Sequence, residues 1–178
     1  MPPSSHEAPE QKNNQPDDAK FDAKGRSAAR MAAVQALYEL DMVEGDADPV
    51  LRTFIEKRWT VTIEDEDGDE VGEADFLDPD KTFLIDLVRG VTDRKGEIDD
   101  ILNGALGEKW TVERLEVLLR QVLRVGAYEL LARAEIPAKV VINEYMDVAN
   151  AFFSEGEPKM VNGVLDKLAH VLRDGKMD

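Results

Sequence analysis

Apolar residues recur every three or four positions through most of this 178-residue chain, which is the period of helices that bury one face. From Ser27, the residues Met31, Val34, Leu37 and Tyr38 fall on one stripe of an Ala-rich run, and Gly45 marks its end. Asp48-Pro49 then reads as a cap followed by a first-turn proline, and Val50, Leu51, Phe54 and Ile55 form a second stripe. Asp80 is placed to cap a third helix, in which Leu84, Leu87, Val88, Val91, Ile98, Ile101 and Leu102 keep one face over about six turns. Gly90 and Gly96 argue that this helix is not straight. Thr111 is the candidate cap of the next segment. There Leu115, Leu118, Leu119, Val122, Leu123, Val125 and Leu130 are apolar nearly all round, as expected of a helix at the centre of a core. Ile136-Pro137 breaks it. Val141, Tyr145, Val148 and Phe152 give a further helix, and Met160, Val161, Val164, Leu165, Leu168 and Leu172 give the last, closed by Gly175. Strands do not alternate with helices and no repeat occurs, so the expected class is all-α.

Two segments fall outside this pattern. Residues 1–22 are polar, without period, and read as a disordered tail ahead of a single helical domain over 23–178. Between about 60 and 79, Val61 and Ile63 alternate with Thr60 and Thr62 and Asp67-Gly68 follows, which allows a short hairpin. The density of like charge favours a flexible acidic insert instead.

That insert changes the meaning of the net charge. A formal charge of -16 argues against a nucleic-acid ligand, yet residues 64–80 hold ten acids and no base. Between Asp22 and Glu39 the balance reverses: Lys24, Arg26 and Arg30 are bases and there is no acid. A local basic patch thus survives on an acidic protein.

Catalytic chemistry finds little to use. Cysteine is absent, which removes disulfides, thiolate zinc sites and thiol nucleophiles. The two histidines are His6, in the tail, and His170, near the end. Gly104 to Gly107 lacks the lysine of a phosphate loop, and Asp65, Asp67, Asp69 and Gly68 do not follow calcium-loop spacing. The expectation is no enzyme, no metal and no cofactor. No run of residues is long and apolar enough for a membrane helix or a secretory signal, so a cytoplasmic protein is expected.

Three blocks carry more information than composition. They are Arg26-Ser-Ala-Ala-Arg30-Met-Ala-Ala-Val-Gln-Ala-Leu-Tyr38; the stretch from Val122-Leu-Arg124-Val-Gly-Ala-Tyr128 through Ile136-Pro-Ala-Lys139 to Asn143-Glu144; and Pro158-Lys-Met-Val-Asn162-Gly-Val-Leu-Asp166-Lys167. In order and spacing they resemble the NusB family of bacterial transcription antitermination factors over residues 24–173. The resemblance implies about seven helices in two packed three-helix-bundle halves. It also implies binding of boxA-type single-stranded RNA in ribosomal RNA transcripts, with the small-subunit ribosomal protein NusE as partner and the RNA polymerase antitermination complex as destination.

Carried over residue by residue, the resemblance implies RNA contacts at Lys24, Arg26, Arg30, Lys159, Met160 and Asn162, and partner contacts at Tyr38 and Leu119. Arg26 and Arg30 are four apart and share a helix face, with Lys20 and Lys24 alongside. The family usually has Phe where this chain has Met160, a softer surface for a base than a ring, and core filling is the competing role. Leu119 stands where an acidic partner-facing residue is usual. Asn162 has little reason to sit in a helix unless it bonds something, Gly163 suits close helix packing, and Asn143 and Glu144 read as closing a helix–helix contact. Two other functions fit parts of the sequence. One is a protein-binding scaffold with weak RNA affinity, and the other a stand-alone relative of the N-terminal domain of ribosomal RNA cytosine methyltransferases. Both monomer and homodimer are compatible with it.

Overall fold

The continuous apolar run of the chain's middle becomes the axis of the molecule. In the computed structural model, which describes residues 16–56, 60–64, 67, 70–75 and 79–173, this run is helix α5 (Val117–Ala132), with every residue from Gln121 to Leu130 buried. Around it lie α1 (Pro16–Val43), α2 (Ala47–Glu56), α3 (Lys81–Asp93), α4 (Lys95–Leu106), α6 (Ala138–Phe152) and α7 (Glu157–Leu172). The first three pack on one another as one half; α4 to α7 form the other, and α1 and α3 join the halves by packing on α5. One continuous core results, with Leu84, Leu87, Leu102, Leu123, Leu130, Tyr145 and Leu165 among its fully buried side chains. The all-α architecture and the seven α-helices among the described residues match expectation.

Three local readings change. The helix expected over 80–102 is two, because Arg94 leaves helical geometry (φ -111, ψ 21) and its side chain grips Glu97 at 2.8 and 3.0 Å. One residue out of the helix barely shifts the apolar phase, so periodicity cannot report the bend; tertiary packing does, sending α3 to α1 and α5, and α4 to α5 and α7. Asp80 does cap α3, accepting from Phe83 N at 3.0 Å. Thr111 does not cap α5: it precedes a 3₁₀ turn (Val112–Arg114), and the capping side chain is Glu116, which accepts from Leu119 N at 3.1 Å. Finally, α1 begins at Pro16, inside the segment read as a disordered tail. Residues 16–26 carry no apolar stripe, so pattern is silent about a helix that extends from a docked segment. Residues 1–15 lie outside the described residues.

The segment read as a flexible insert contains β1 (Thr60–Glu64) and β2 (Glu70–Asp75), paired antiparallel from Thr60↔Asp75 to Ile63↔Gly72. An irregularity then brings Glu64 opposite Glu70. Alternating β-branched residues outweighed like charge, because the backbone ladder does not depend on which side chains face water.

Candidate functional site

In the first half of α1 the sequence-predicted cations separate into two kinds. Lys24 and Arg26 are exposed, and neither has an ion-pair partner among the described residues. Arg30 is buried, its side chain 3% exposed. Its Nε donates to both oxygens of Glu129 at 3.2 and 3.0 Å, and Nη2 donates to Oε1 at 2.6 Å. Tyr145 Oη donates to the same carboxylate at 2.7 Å. Burial works against the charge of Arg30, but the hydrogen bond and the charge of Glu129, with Tyr145 and Glu144, hold its pKa above the usual guanidinium value. Nη1 faces Glu144 Oε2 at 3.6 Å, so the charge of Arg30 is met by two carboxylates of its own protein. Arg30 thus acts as a strut that ties α1 to α5, and it also lines the cleft on which Arg26 stands.

Arg26 does share Arg30's face, as spacing predicts. That face rests on Phe83, whose ring centroid lies 5.2 Å from the Arg26 guanidinium carbon, 5.1 Å from that of Arg30 and 5.6 Å from that of Arg133. The aromatic platform holds Arg26 while leaving it in water. Asp80 N donates to Gly25 O at 2.9 Å, bringing the start of α3 alongside. Ser27 Oγ donates to Glu144 Oε2 at 2.8 Å, so Glu144 closes the α1–α6 contact as expected. Between them opens a cleft of about 570 Å³, lined by Ala23, Arg26, Asp80, Pro137, Val140 and Glu144. Lys81 and Lys139, both exposed and without an ion pair, flank it from α3 and α6. Sequence reasoning gave them no role, because only the fold brings the starts of α3 and α6 beside α1.

Lys159, Met160 and Asn162 lie elsewhere, at the start of α7. Through Arg30, α1 meets α5 at Glu129, whereas Met160 shares a groove with Leu119. Ten helical residues separate those positions, roughly 15 Å along the axis of α5. Lys159 and Asn162 are exposed, and the Asn162 amide has no partner among the described residues. Gly163 meets no neighbour within 4 Å of a built Cβ, which corrects the close-packing expectation. Met160 is half-buried against the core. Leu119 is buried at 6% exposure, packs on the core and lines the groove it shares with Met160, so any partner would meet it as an apolar wall. Tyr38, at 37%, remains at the surface one turn before Met42 at 60%.

The model of the family described as the NusB family matches residues 27–170. The transcription antitermination protein NusB of Maricaulis maris (strain MCS10) is 42% identical over 152 residues, covering 85% of this chain and 89% of the relative. The chain belongs to the NusB family. Among solved structures, NusB of T. maritima aligns with a TM-score of 0.63 at 32% identity, over 81% of this chain and 89% of that one. A complex of antitermination factors NusB and NusE with dsRNA aligns at 0.65 and 22% identity, over 83% and 97%, and supports the fold alone.

In this NusB-family chain the α1 cleft and the α7 groove are thus separate surfaces at the two ends of α5. What sequence reasoning missed lies in the second. Trp110 is 49% exposed at the groove's mouth, beside Phe153 and Met160. Its only sequence signal was a tryptophan between helices, which does not tell a buried ring from an exposed one. Among the described residues, no cluster of His, Cys, Asp or Glu could hold a metal, and no helix is long and apolar enough to cross a membrane.

Proposed function

We propose that this chain is a transcription antitermination factor that binds unpaired, boxA-type RNA together with NusE and acts in the cytoplasm. The observation that carries the reading is the set of exposed, ion-pair-free bases at the α1 cleft of a chain whose curated relative is a transcription antitermination protein. Lys24 and Arg26 would meet phosphates there, and the dipole of a helix start favours anions at Lys81 and Lys139. Tyr38 and Met42 would offer the partner an apolar surface. The described basic surface is small, so the partner supplies part of the grip.

The test is RNA binding by fluorescence anisotropy with and without NusE. Binding of a boxA oligonucleotide is expected to tighten with NusE, and paired RNA of the same sequence is expected to bind less well. Lys24→Ala with Arg26→Ala should weaken it and flatten its salt dependence by about 1.4 in the log–log slope, at roughly 0.7 per contact with single strands. If neither RNA nor NusE binds, the reading fails. If NusE binds and RNA does not, a protein-binding scaffold replaces it; if RNA binds and the double variant leaves its affinity unchanged, the RNA contact lies away from the α1 cleft.

A further inference from the structure

Three guanidiniums gather around one buried ring. Phe83, in the first turn of α3, is 2% exposed, and the guanidinium carbons of Arg26, Arg30 and Arg133 lie 5.1 to 5.6 Å from its centroid. Two of the three have carboxylates of their own. Arg30 is met by Glu129 at 2.6 Å and Glu144 at 3.6 Å, and Arg133 by Asp86 at 2.9 Å and Glu135 at 3.3 Å. Arg26 is exposed and has no carboxylate partner among the described residues, so the ring is the contact that holds it.

A long arginine side chain loses rotamer freedom when it meets a phosphate, and a contact that restricts it beforehand lowers that cost. A carboxylate would restrict it too, but would meet its charge; an aromatic face restricts it and leaves the charge available. The acids that line the same cleft are turned elsewhere. Asp80 Oδ1 accepts from Phe83 N at 3.0 Å, Glu144 Oε2 accepts from Ser27 Oγ at 2.8 Å, and Glu135 pairs with Arg133. Asp80 also fixes the ring relative to α1, because its own N–H donates to Gly25 O at 2.9 Å, one residue before Arg26. With 2% of its surface in solvent, Phe83 offers no face to a base. Any effect it has on RNA passes through the guanidiniums around it, and among these only Arg26 is both exposed and unpaired.

We propose that Phe83 is a positioning residue for RNA binding: its buried ring, pinned to α1 through Asp80, holds the uncompensated guanidinium of Arg26 ready for a phosphate. This rests on the RNA-binding reading above and adds to it a residue that touches no RNA.

A double-mutant cycle in the full-length chain separates positioning from mere packing. Phe83→Leu keeps an apolar side chain and removes the ring; it should weaken binding of the boxA oligonucleotide about two- to five-fold, the range of a cation–π contact at an exposed site. Phe83→Tyr, which keeps the ring, should bind like the parent. In an Arg26→Ala background, Phe83→Leu should cause no further loss. NusE affinity and helical circular dichroism, unchanged in all variants, report that each is folded. A second measurement needs no variant and no RNA: in the free parent protein, the NMR signal of the Arg26 Nε–H should carry the ring-current shift of a proton held over an aromatic face. That shift should vanish in Phe83→Leu and persist in Phe83→Tyr. Three results overturn the proposal: an Arg26 signal at its ordinary position in the parent, RNA affinity unchanged in Phe83→Leu, or an equal loss from Phe83→Leu with and without Arg26. In each, an Arg26→Ala variant that still loses RNA affinity shows that the wider RNA-binding reading stands. Absence of RNA binding by the parent protein ends both.

Discussion

Arg30 keeps a full charge with 3% of its side chain in water because Glu129, itself fully buried, takes three of its donor contacts. Such a pair contributes little net stability as a unit, but breaking it strands a charge in the core. Arg30→Met is therefore expected to lower unfolding free energy by about 3–5 kcal/mol, read from urea denaturation, whereas Arg26→Ala at the surface should change it by less than about 0.5 kcal/mol. Replacing both members, as Arg30→Met with Glu129→Leu, should recover much of the loss. Tyr145 belongs to the same cluster. Burial first, then the charge and hydrogen bond of Glu129, push its hydroxyl well above the ordinary phenolic range. Its neutral form is thus favoured in the folded state, and the associated stability is present below about pH 10. It is lost as pH rises from there toward the folded pKa. Thermal midpoints measured across alkaline pH should fall less steeply for Tyr145→Phe than for the parent.

At the scale of elements, two glycines of similar appearance in the sequence have opposite roles. A Cβ built on Gly90 in α3 would lie 2.0 Å from Tyr128 Cζ, and the Tyr128 hydroxyl is held by Asp86 at 3.0 Å, so the ring has nowhere to go. Gly90→Ala should destabilise by about 1–3 kcal/mol through overpacking, despite alanine's better helix propensity. Gly96 in α4 meets nothing within 4 Å. Gly96→Ala should stabilise by roughly 0.5–1 kcal/mol. A matched pair of denaturation curves distinguishes the two, and equal effects would contradict the α3–α5 packing described. Gly90 and Gly96 argued only that a single helix was not straight; which glycine was structural depended on a tyrosine 38 positions away in the chain, whose approach no local pattern encodes.

At the scale of the molecule, charge is distributed unevenly. Residues 60–75 hold eight acids and no base, half of the formal net charge. Among the described residues, their two strands pair with each other. Replacing them with a short Gly/Ser linker should leave helical circular dichroism intact and stability within about 0.5 kcal/mol. Asp80 lies five positions after Asp75, at most about 18 Å of chain, and bonds to Gly25 beside Arg26. The same deletion should therefore raise RNA affinity at low salt. The gain should shrink as ionic strength rises and the screening length falls from about 30 Å at 0.01 M to about 10 Å at 0.1 M. An equal gain at all salt concentrations would point away from electrostatics.

The chain's periodicity alone determined that it is helical, that α5 is the central element, and that Asp80 opens a helix, because these follow from spacing and local hydrogen bonding. Its family was legible in three spaced blocks. What only the tertiary structure decided is which face of each stripe meets the interior. Arg26 and Arg30 are indistinguishable by spacing, yet one lies on Phe83 in solvent and the other under Glu129. Leu119 and Met160, assigned to different partners, line one groove. Trp110, assigned to none, stands at its mouth, because side-chain burial is set by residues that arrive from distant parts of the chain.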